Sequence, residues 1–439
     1  MRFAFPTLRR SLPALMVAGL VASGVVASPA TAAAPKAPGR LTGYGFDACV
    51  APSQSVMDTW NIASPFTAVG IYISGNSRYC GDEHQPNLSK KWVQANADNG
   101  WRFVPIHVGR QSPCFVNNPS SRVKKKLMST DVKTARSQAR SEAKETIAAL
   151  TKYGFGKGSY SYLDIEWYKR TSKCDNIVLE FMDAWTEYLH GKGYKSGLYS
   201  SASAGIQLAD EARIARRKGI TLPDQVWFAW SNKKANNDGR PYLTNSGWKR
   251  QRMHQYHLDV AVTYGGKTLH IDKNYIDVGK GSKAARESKP CSVAMSFKKY
   301  PRLQYRSKGK EVAALECLLK RQGYLSKVDT TFGKATVRAI DAYRADQGWK
   351  PAGRTSGPTW TSLLAHGTNP RVLKEGSVGQ ATWRLQRALV AAGLKLTING
   401  VYDASTAKAV ASYRKARKLP SYPTVEAGMW KALNSGKTA

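Results

Sequence analysis

Asp164-Ile165-Glu166 sets two carboxylates one residue apart at the end of the run Ser159-Tyr160-Ser161-Tyr162-Leu163. On a strand, residues i and i+2 share a face, so both acids would project together from its C-terminal end. A barrel enzyme carries its chemistry at that end. Two acids so close, in surroundings that drive their pKa values apart, can divide general-acid and stabilising roles in glycosidic cleavage. Glu166 is the expected general acid, pushed toward neutrality by Asp164 and by aromatic walls. Asp164 is the expected anion, stabilising an oxocarbenium-like centre or orienting the sugar's own acetamido group. For the tripeptide alone, an exposed acidic strand end is the competing reading.

The elements that must position these acids lie in residues 41–280. Strand-like runs cover Leu41 to Asp47, Ala68 to Ile73, Trp101 to Val108, Ser159 to Glu166, Tyr194 to Ser200, Gln225 to Trp230, Arg252 to His257 and Thr268 to Lys273. Amphipathic stretches such as Leu88 to Asp98, Ala135 to Lys152, Ile177 to Gly191 and Ala204 to Arg217 separate them. Eight strands with intervening helices predict an α/β fold, a (β/α)8-type TIM barrel, with later helices that look short. Aromatic residues crowd the same strand ends. Trp230 and Tyr199 are expected to bind substrate there, with Tyr256 and Gln255 beside them, because flat rings with polar tips suit sugar faces. Core packing is the default for Tyr44, Tyr72, Trp167 and Trp227.

The setting follows from composition. Arg2, Arg9 and Arg10 precede an apolar stretch from Leu12 to Ala27, and Ala30-Thr31-Ala32 offers a cleavage site, so residues 1–32 read as a signal peptide; Arg9-Arg10 raises the twin-arginine route, but Ser11-Leu12-Pro13 continues it poorly and favours the general secretory route. No other apolar run is long enough to span a bilayer. Six cysteines without a paired C-x-x-C argue for disulfides in an oxidising compartment. Cys291 and Cys317 should pair, whereas Cys49, Cys80, Cys114 and Cys174 admit three pairings. With 67 Lys plus Arg against 30 Asp plus Glu, the formal net charge of +37 suits anionic cell-wall polymers. The basic residues are scattered, with short clusters such as Lys124-Lys125-Lys126 and Arg414 to Lys418, and no nucleic-acid module is present. His107, His254, His257 and His270 lie on different strands or faces and make no metal site. Ser200 and Ser201 lack the nucleophile elbow of serine hydrolases, no phosphate-cradling glycine motif occurs, and no cofactor is expected. A monomer is expected.

The C-terminal third repeats itself. Gly309, Leu315, Gly323, Phe332, Thr336, Tyr343, Trp360 and Leu363 recur 70 residues later as Gly379, Leu385, Gly393, Tyr402, Thr406, Tyr413, Trp430 and Leu433. A period that long makes each copy a small domain, here all-α with three helices. Residues 291–366 and 370–436 are the two copies, and the Lys-, Ser- and Gly-rich stretch 281–290 is the linker. The pattern Gly309-x-x-Val312-x-x-Leu315-Glu316, Gly323-Tyr324, Phe332-Gly333-x-x-Thr336, Tyr343 and Trp360-x-x-Leu363-Leu364 resembles the peptidoglycan-binding module of secreted wall hydrolases. Gly376-Ser377-Val378-Gly379, Leu385-Gln386, Tyr402-Asp403-x-x-Thr406 and Trp430-x-x-Leu433 carry the resemblance into the second copy. It departs at Glu316, where the family usually has Gln, and it implies docking on peptidoglycan.

The larger domain also carries known motifs. Gly45-Phe46-Asp47-Ala48-Cys49, Gly70-Ile71-Tyr72-Ile73-Ser74-Gly75, Pro105-Ile106-x-Val108-Gly109-x-Gln111, Leu198-Tyr199-Ser200-Ser201 and His254-Gln255-Tyr256 resemble a glycoside-hydrolase-like family of exported bacterial barrels without assigned activity. That family is similar in layout to the family-25 lysozymes, in which acids close strands one, four and eight. The resemblance puts Asp47, the pair Asp164 and Glu166, and Asp272 at those positions, with Asp47 and Asp272 placing substrate or water. A helix N-cap is the structural alternative for Asp47, and a strand-end turn for Asp272. The implied activity is muramidase-type hydrolysis of peptidoglycan. The alternatives are a wall-binding or scaffolding protein that keeps the fold without turnover, and an enzyme acting on another extracellular polysaccharide.

Overall fold

The computed structural model describes residues 35, 37–118 and 124–439. The expected signal peptide, 1–32, lies outside the described residues. Eight strands close a barrel in chain order: β1 (Leu41–Asp47), β2 (Phe66–Ser74), β3 (Arg102–His107), β4 (Tyr160–Ile165), β5 (Lys195–Ser201), β6 (Gln225–Ala229), β7 (Arg252–Tyr264) and β8 (Lys267–Val278). After β1 to β5 come the helices α1 (Gln54–Ala63), α2 (Lys90–Asp98), α3 (Val132–Lys152), α4 (Ser172–Gly191) and α5 (Gln207–Ile214). Side chains cap the first four: Ser53, Ser89, Asp131 and Thr171 each accept a hydrogen bond from the backbone N–H three residues on.

Strands β1 to β7 pair in parallel, but β8 runs antiparallel to both β7 and β1. The regular alternation of strand and helix therefore fails at the end of the barrel. Gly265 and Gly266 alone connect β7 to β8, with φ of 56° and 74°. A two-residue turn with both residues at positive φ makes a hairpin and leaves no room for a crossover helix.

Side chains alternate along the strands between two cores. Leu41, Ala68, Val104, Ile106, Tyr162, Trp227, Met253, Ile276 and Val278 fill the barrel interior. Phe46, Val69, Ile71, Phe103, Leu163, Ile165, Leu198 and Phe228 face outward onto Trp60, Trp92, Leu150, Trp185 and other helix residues.

The C-terminal third is helical, as the repeat predicts. The first copy holds α6 (Lys310–Arg321), α7 (Lys334–Asp346) and α8 (Gly357–Ala365), and the second α9 (Gln380–Ala391), α10 (Ala404–Ala416) and α11 (Ala427–Asn434). Instead of two separate cores, Leu315, Leu319, Ile340 and Trp360 share one cluster with Leu385, Leu389, Val410 and Trp430. The stretch 281–290 lies along α9, where Trp383 Nε1 donates to Ala285 O at 3.2 Å and Gln380 Nε2 to Arg286 O at 2.9 Å.

The second copy also rests on the barrel, at the N-terminal ends of its strands. Thr67 Oγ1 donates to Glu375 O at 2.8 Å, and Ser282 Oγ to Gly376 O at 2.8 Å. Gly376 adopts φ 93°, and a Cβ there would stand 2.8 Å from both Leu41 Cδ1 and Thr42 O, so this contact requires glycine. Three disulfides join Cys49 to Cys80, Cys114 to Cys174 and Cys291 to Cys317. The last is the expected pair, and the first two select one of the three pairings left open.

Candidate active site

Asp47 closes β1 and lies in register with Asp272 of β8. Because β8 is reversed, Asp272 reaches this rim from the middle of its strand, not from a C-terminal strand end as a regular barrel would require. Asp47 is buried and fully engaged. Its Oδ1 accepts from Asn274 Nδ2 at 2.7 Å, its Oδ2 from the Tyr72 hydroxyl at 3.0 Å, and Gln255 Nε2 approaches both oxygens at 3.2 and 3.3 Å. Gln255 Nε2 also reaches Asp272 Oδ2 at 3.2 Å, while Gln255 Oε1 accepts from the Tyr199 hydroxyl at 2.7 Å. Asp272 Oδ1 accepts from the backbone N–H of Asp259 at 2.6 Å. Ser53 caps α1, so Asp47 is not that helix's N-cap.

Burial pushes Asp47 up to about 7, the nearby Asp272 charge adds to the rise, and the bonds from Asn274, Gln255 and Tyr72 oppose it. Asp272 is raised as well, again chiefly by burial.

Asp164 and Glu166 sit at the end of β4, but they differ in surroundings. Asp164 is the last strand residue facing inward; it is buried, and its Oδ1 has no hydrogen-bond partner among the described residues. Burial, reinforced by Glu166, holds its carboxyl well above the usual carboxylate range, with Lys125 and Asp47 acting in opposite directions as smaller influences. Glu166 lies one residue beyond the strand. Its side chain is 38% exposed, and Oε1 accepts from Lys125 Nζ at 2.7 Å. The shared strand face aims both acids at the barrel mouth, but depth along that face buries Asp164 and leaves Glu166 at the rim.

Gln111 fixes the backbone between the two. It is completely buried; its Oε1 accepts from Glu166 N at 2.7 Å and its Nε2 donates to Asp164 O at 2.9 Å. The β3–β4 ladder pairs only Ile106 with Tyr162 and His107 with Leu163. Beyond it, one side-chain amide supplies the donor and acceptor that a neighbouring strand would otherwise provide.

Of the expected substrate contacts, Gln255 and Tyr199 join the acid network. Trp230 and Tyr256 lie elsewhere. The Trp230 ring is 5.6 Å from Tyr242 and 6.3 Å from His254, and Tyr256 is 6.1 Å from His254. Alternation puts Trp230 on the outer face, opposite inward-facing Trp227 three positions before it. Residues missing from the expected site are Tyr72, Gln111, Lys125, Asn274 and Trp227, whose Nε1 donates to Asn274 Oδ1 at 2.8 Å. Asn274 was within reach of sequence reasoning, since it is two residues from Asp272 and so shares its face. Lys125 gave no such signal within its run of three lysines.

Residues 58–276 match the family model of the Rv2525c-like, glycoside hydrolase-like domain. The barrel is a glycoside hydrolase-like domain of this family. Residues 308–363, the first helical copy, match a peptidoglycan binding domain. No curated protein matches the chain. Among solved structures, the Mycobacterium tuberculosis Tat-secreted protein Rv2525c in complex with L-tartrate is 14% identical with a TM-score of 0.37, over 54% of this chain and 95% of that one. An uncharacterised B. stearothermophilus protein is 15% identical with a TM-score of 0.36, over 53% and 95%. The Clostridium perfringens spore cortex lytic enzyme SleM is 17% identical with a TM-score of 0.33, over 53% and 67%.

A glycoside hydrolase-like barrel joined to a peptidoglycan-binding domain makes this a cell-wall-directed protein. Among the described residues, no helix is long and apolar enough to cross a membrane.

Proposed function

We propose that the glycoside hydrolase-like barrel cleaves the glycan strands of peptidoglycan in the manner of a muramidase, in a secreted protein that both helical copies hold on the wall. The observation that carries this reading is the unlike pair at the end of β4: a buried carboxyl with an unpartnered oxygen, Asp164, beside a carboxylate held by Lys125, Glu166. A carboxyl whose burial favours its neutral form can serve as a proton donor. Asp164 gives its proton to the leaving glycosidic oxygen as the bond to the anomeric carbon breaks. Glu166, as an anion, stabilises the positive charge growing at that carbon or aligns the acetamido group that attacks it. Water then completes hydrolysis, returning a proton to Asp164. Asp47 and Asp272, linked through Gln255, orient the sugar or the water. These roles exchange those expected of Asp164 and Glu166 from the sequence.

The Lys125–Glu166 ion pair favours a second reading, a wall-binding protein on an enzyme's scaffold, because it already satisfies the carboxylate that turnover would use. Release of reducing sugar ends from purified peptidoglycan separates the two. Hydrolysis by the native protein that falls by about a thousandfold or more in Asp164→Asn and Glu166→Gln would establish the glycosidase. No hydrolysis by any of the three, with retention on sacculi intact, would leave the scaffold reading.

A further inference from the structure

The 70-residue repeat pairs Trp360 of α8 with Trp430 of α11, yet the two indoles meet different surroundings. In the first copy, Trp360 Nε1 donates to Pro301 O at 2.8 Å, and the Tyr300 ring packs against the indole with centroids 5.2 Å apart. The same step of 70 sets Arg371 at the place of Pro301 and Pro370 at that of Tyr300, so the second copy has no ring there. Trp430 is as buried as its counterpart, but its Nε1 has no hydrogen-bond partner among the described residues. It lines a cavity of about 530 Å³ together with Gln347, Asn369, Arg371, Lys431 and Asn434. Asn434 Oδ1 is a second buried atom without a partner among the described residues.

The last unit of a repeat carries polar residues on its uncovered face, which accounts for Lys431 where the first copy has buried Thr361. It does not account for a buried donor and a buried acceptor left unpaired, because each remains costly until something enters to satisfy it. Charge narrows what that something is. Arg371 and Lys431 line the cavity, and none of its lining residues is acidic. Arg371 is shared with the barrel, where its Nη2 is 3.9 Å from Asp58 Oδ1 and its Nη1 donates to Asn99 Oδ1. A third cation stands close by: the Arg384 guanidinium lies 5.1 Å from the centre of the Trp430 ring and donates to Asn369 Oδ1 at 2.7 Å, which leaves Asn369 its amide nitrogen to donate. Cations and N–H donors together suit a carboxylate. Asn434 Oδ1 calls for an N–H beside it. A carboxylate with an amide N–H one residue away is the C-terminal end of a peptide chain.

We propose that this cavity of the second copy holds the carboxyl-terminal end of a short peptide of the wall, with its carboxylate beside Arg371 and Lys431 and its last N–H on Asn434 Oδ1, and that Tyr300 closes the equivalent place in the first copy. The proposal deepens the wall-holding part of the function proposed above and rests on it for the source of the peptide, not on hydrolysis. Its test titrates the full chain, by calorimetry, with N-acetyl-alanyl-alanine in its L,L and D,D forms and with the matching carboxamides. One form of the free acid should bind saturably, about tenfold or more tighter than its carboxamide. Two variants carry first-copy residues into the second: Pro370→Tyr fills the cavity, and Asn434→Leu removes the acceptor at the position of Leu364. Each should weaken binding of the acid about tenfold or more while still unfolding cooperatively. If Pro370→Tyr fails to fold, Asn434→Leu decides. No saturable binding by the native protein would mean that water alone fills the cavity and would overturn the proposal. A carboxamide that binds as well as the acid, or a folded variant with native affinity, would overturn it too. Retention on sacculi without peptide binding would remove the peptide site and leave the wall-directed reading. Peptide binding by a protein that sacculi do not retain would keep the site and remove the wall as its source.

Discussion

The two ends of the barrel bury opposite charges. At the C-terminal rim, burial raises Asp47, Asp164 and Asp272 toward their neutral forms. At the other end, the second helical copy inserts Lys374, whose Nζ donates to Asn61 Oδ1 at 2.7 Å and Asn61 O at 3.1 Å and lies 4.3 Å from the centre of the Trp101 ring. Burial lowers that ammonium to about 7. The same loss of water acts at both ends, with opposite sign because it always disfavours the charged form. What differs is the surroundings. The acids face one another and an open rim, where a neutral carboxyl can give up its proton. Lys374 faces amide oxygens and a ring in a sealed contact, where its only consequence is how firmly the helical region sits on the barrel.

The largest expected effect that could break this comparison is in the pH dependence of stability. Asp47 titrates near 7 in the folded protein against an ordinary value of 3.8. Between those values the folded state binds more protons, so this site's contribution falls as pH rises from 3.8 to 7. Lys374 titrates near 7 against 10.5, so there the unfolded state binds more protons and the contribution rises from pH 7 to 10.5. Each limb has a limiting slope of about 1.4 kcal/mol per pH unit, and both are least favourable near neutrality. Denaturant unfolding across pH should show Asp47→Asn flattening the acid limb alone and Lys374→Met the alkaline limb alone. A single variant that flattened both would mean the ends are not independent.

Gln111 sharpens the acid side of the comparison. Gln111→Ala should lower hydrolysis by about 10- to 100-fold, mainly in kcat, by loosening the peptide that spaces Asp164 and Glu166. Gln111→Glu keeps the acceptor for Glu166 N but loses the donor to Asp164 O, and steady-state kinetics should place it between the two. The smallest effect is expected at Glu316, a buried carboxylate far from both ends. Its Oε1 accepts from Thr336 Oγ1 at 2.6 Å and its Oε2 from Asp329 N at 2.7 Å, and burial raises it. In the second copy, Gln386 holds the corresponding loop, accepting from Asn399 N and Gly400 N and donating to Thr406 Oγ1. Glu316→Gln should therefore change stability by no more than about 1 kcal/mol at neutral pH, read from thermal unfolding, with sacculus binding unchanged. A larger loss would mean that the carboxylate has a role its repeat partner lacks.

Much of the frame was legible because it is local. Strand β1 runs from Leu41 to Asp47 and helix α7 from Lys334 to Asp346, both as read from alternation and helical spacing, and the 70-residue repeat placed all six C-terminal helices in two matching sets. The reversal of β8 had a signal in Gly265-Gly266, which fits a hairpin turn between strands, whereas the short later helices pointed only to some irregularity in the barrel. The candidate site was legible only as residue types. Asp47, Asp164, Glu166 and Asp272 were named, yet their depths were not, because a side-chain period of two specifies which face a residue occupies and says nothing of how far along it lies from water.

What the amino-acid sequence determined by itself is therefore the order of elements, the acids that end them and the kinship of the two helical copies, all of which follow from spacing along a chain. Tertiary structure alone decided that Asp164 is buried while Glu166 meets Lys125, and that Lys374 is sealed against Asn61 and Trp101. Those outcomes depend on burial and on contacts between residues tens to hundreds of positions apart, and no local pattern encodes how deeply a charge will be desolvated once the barrel closes.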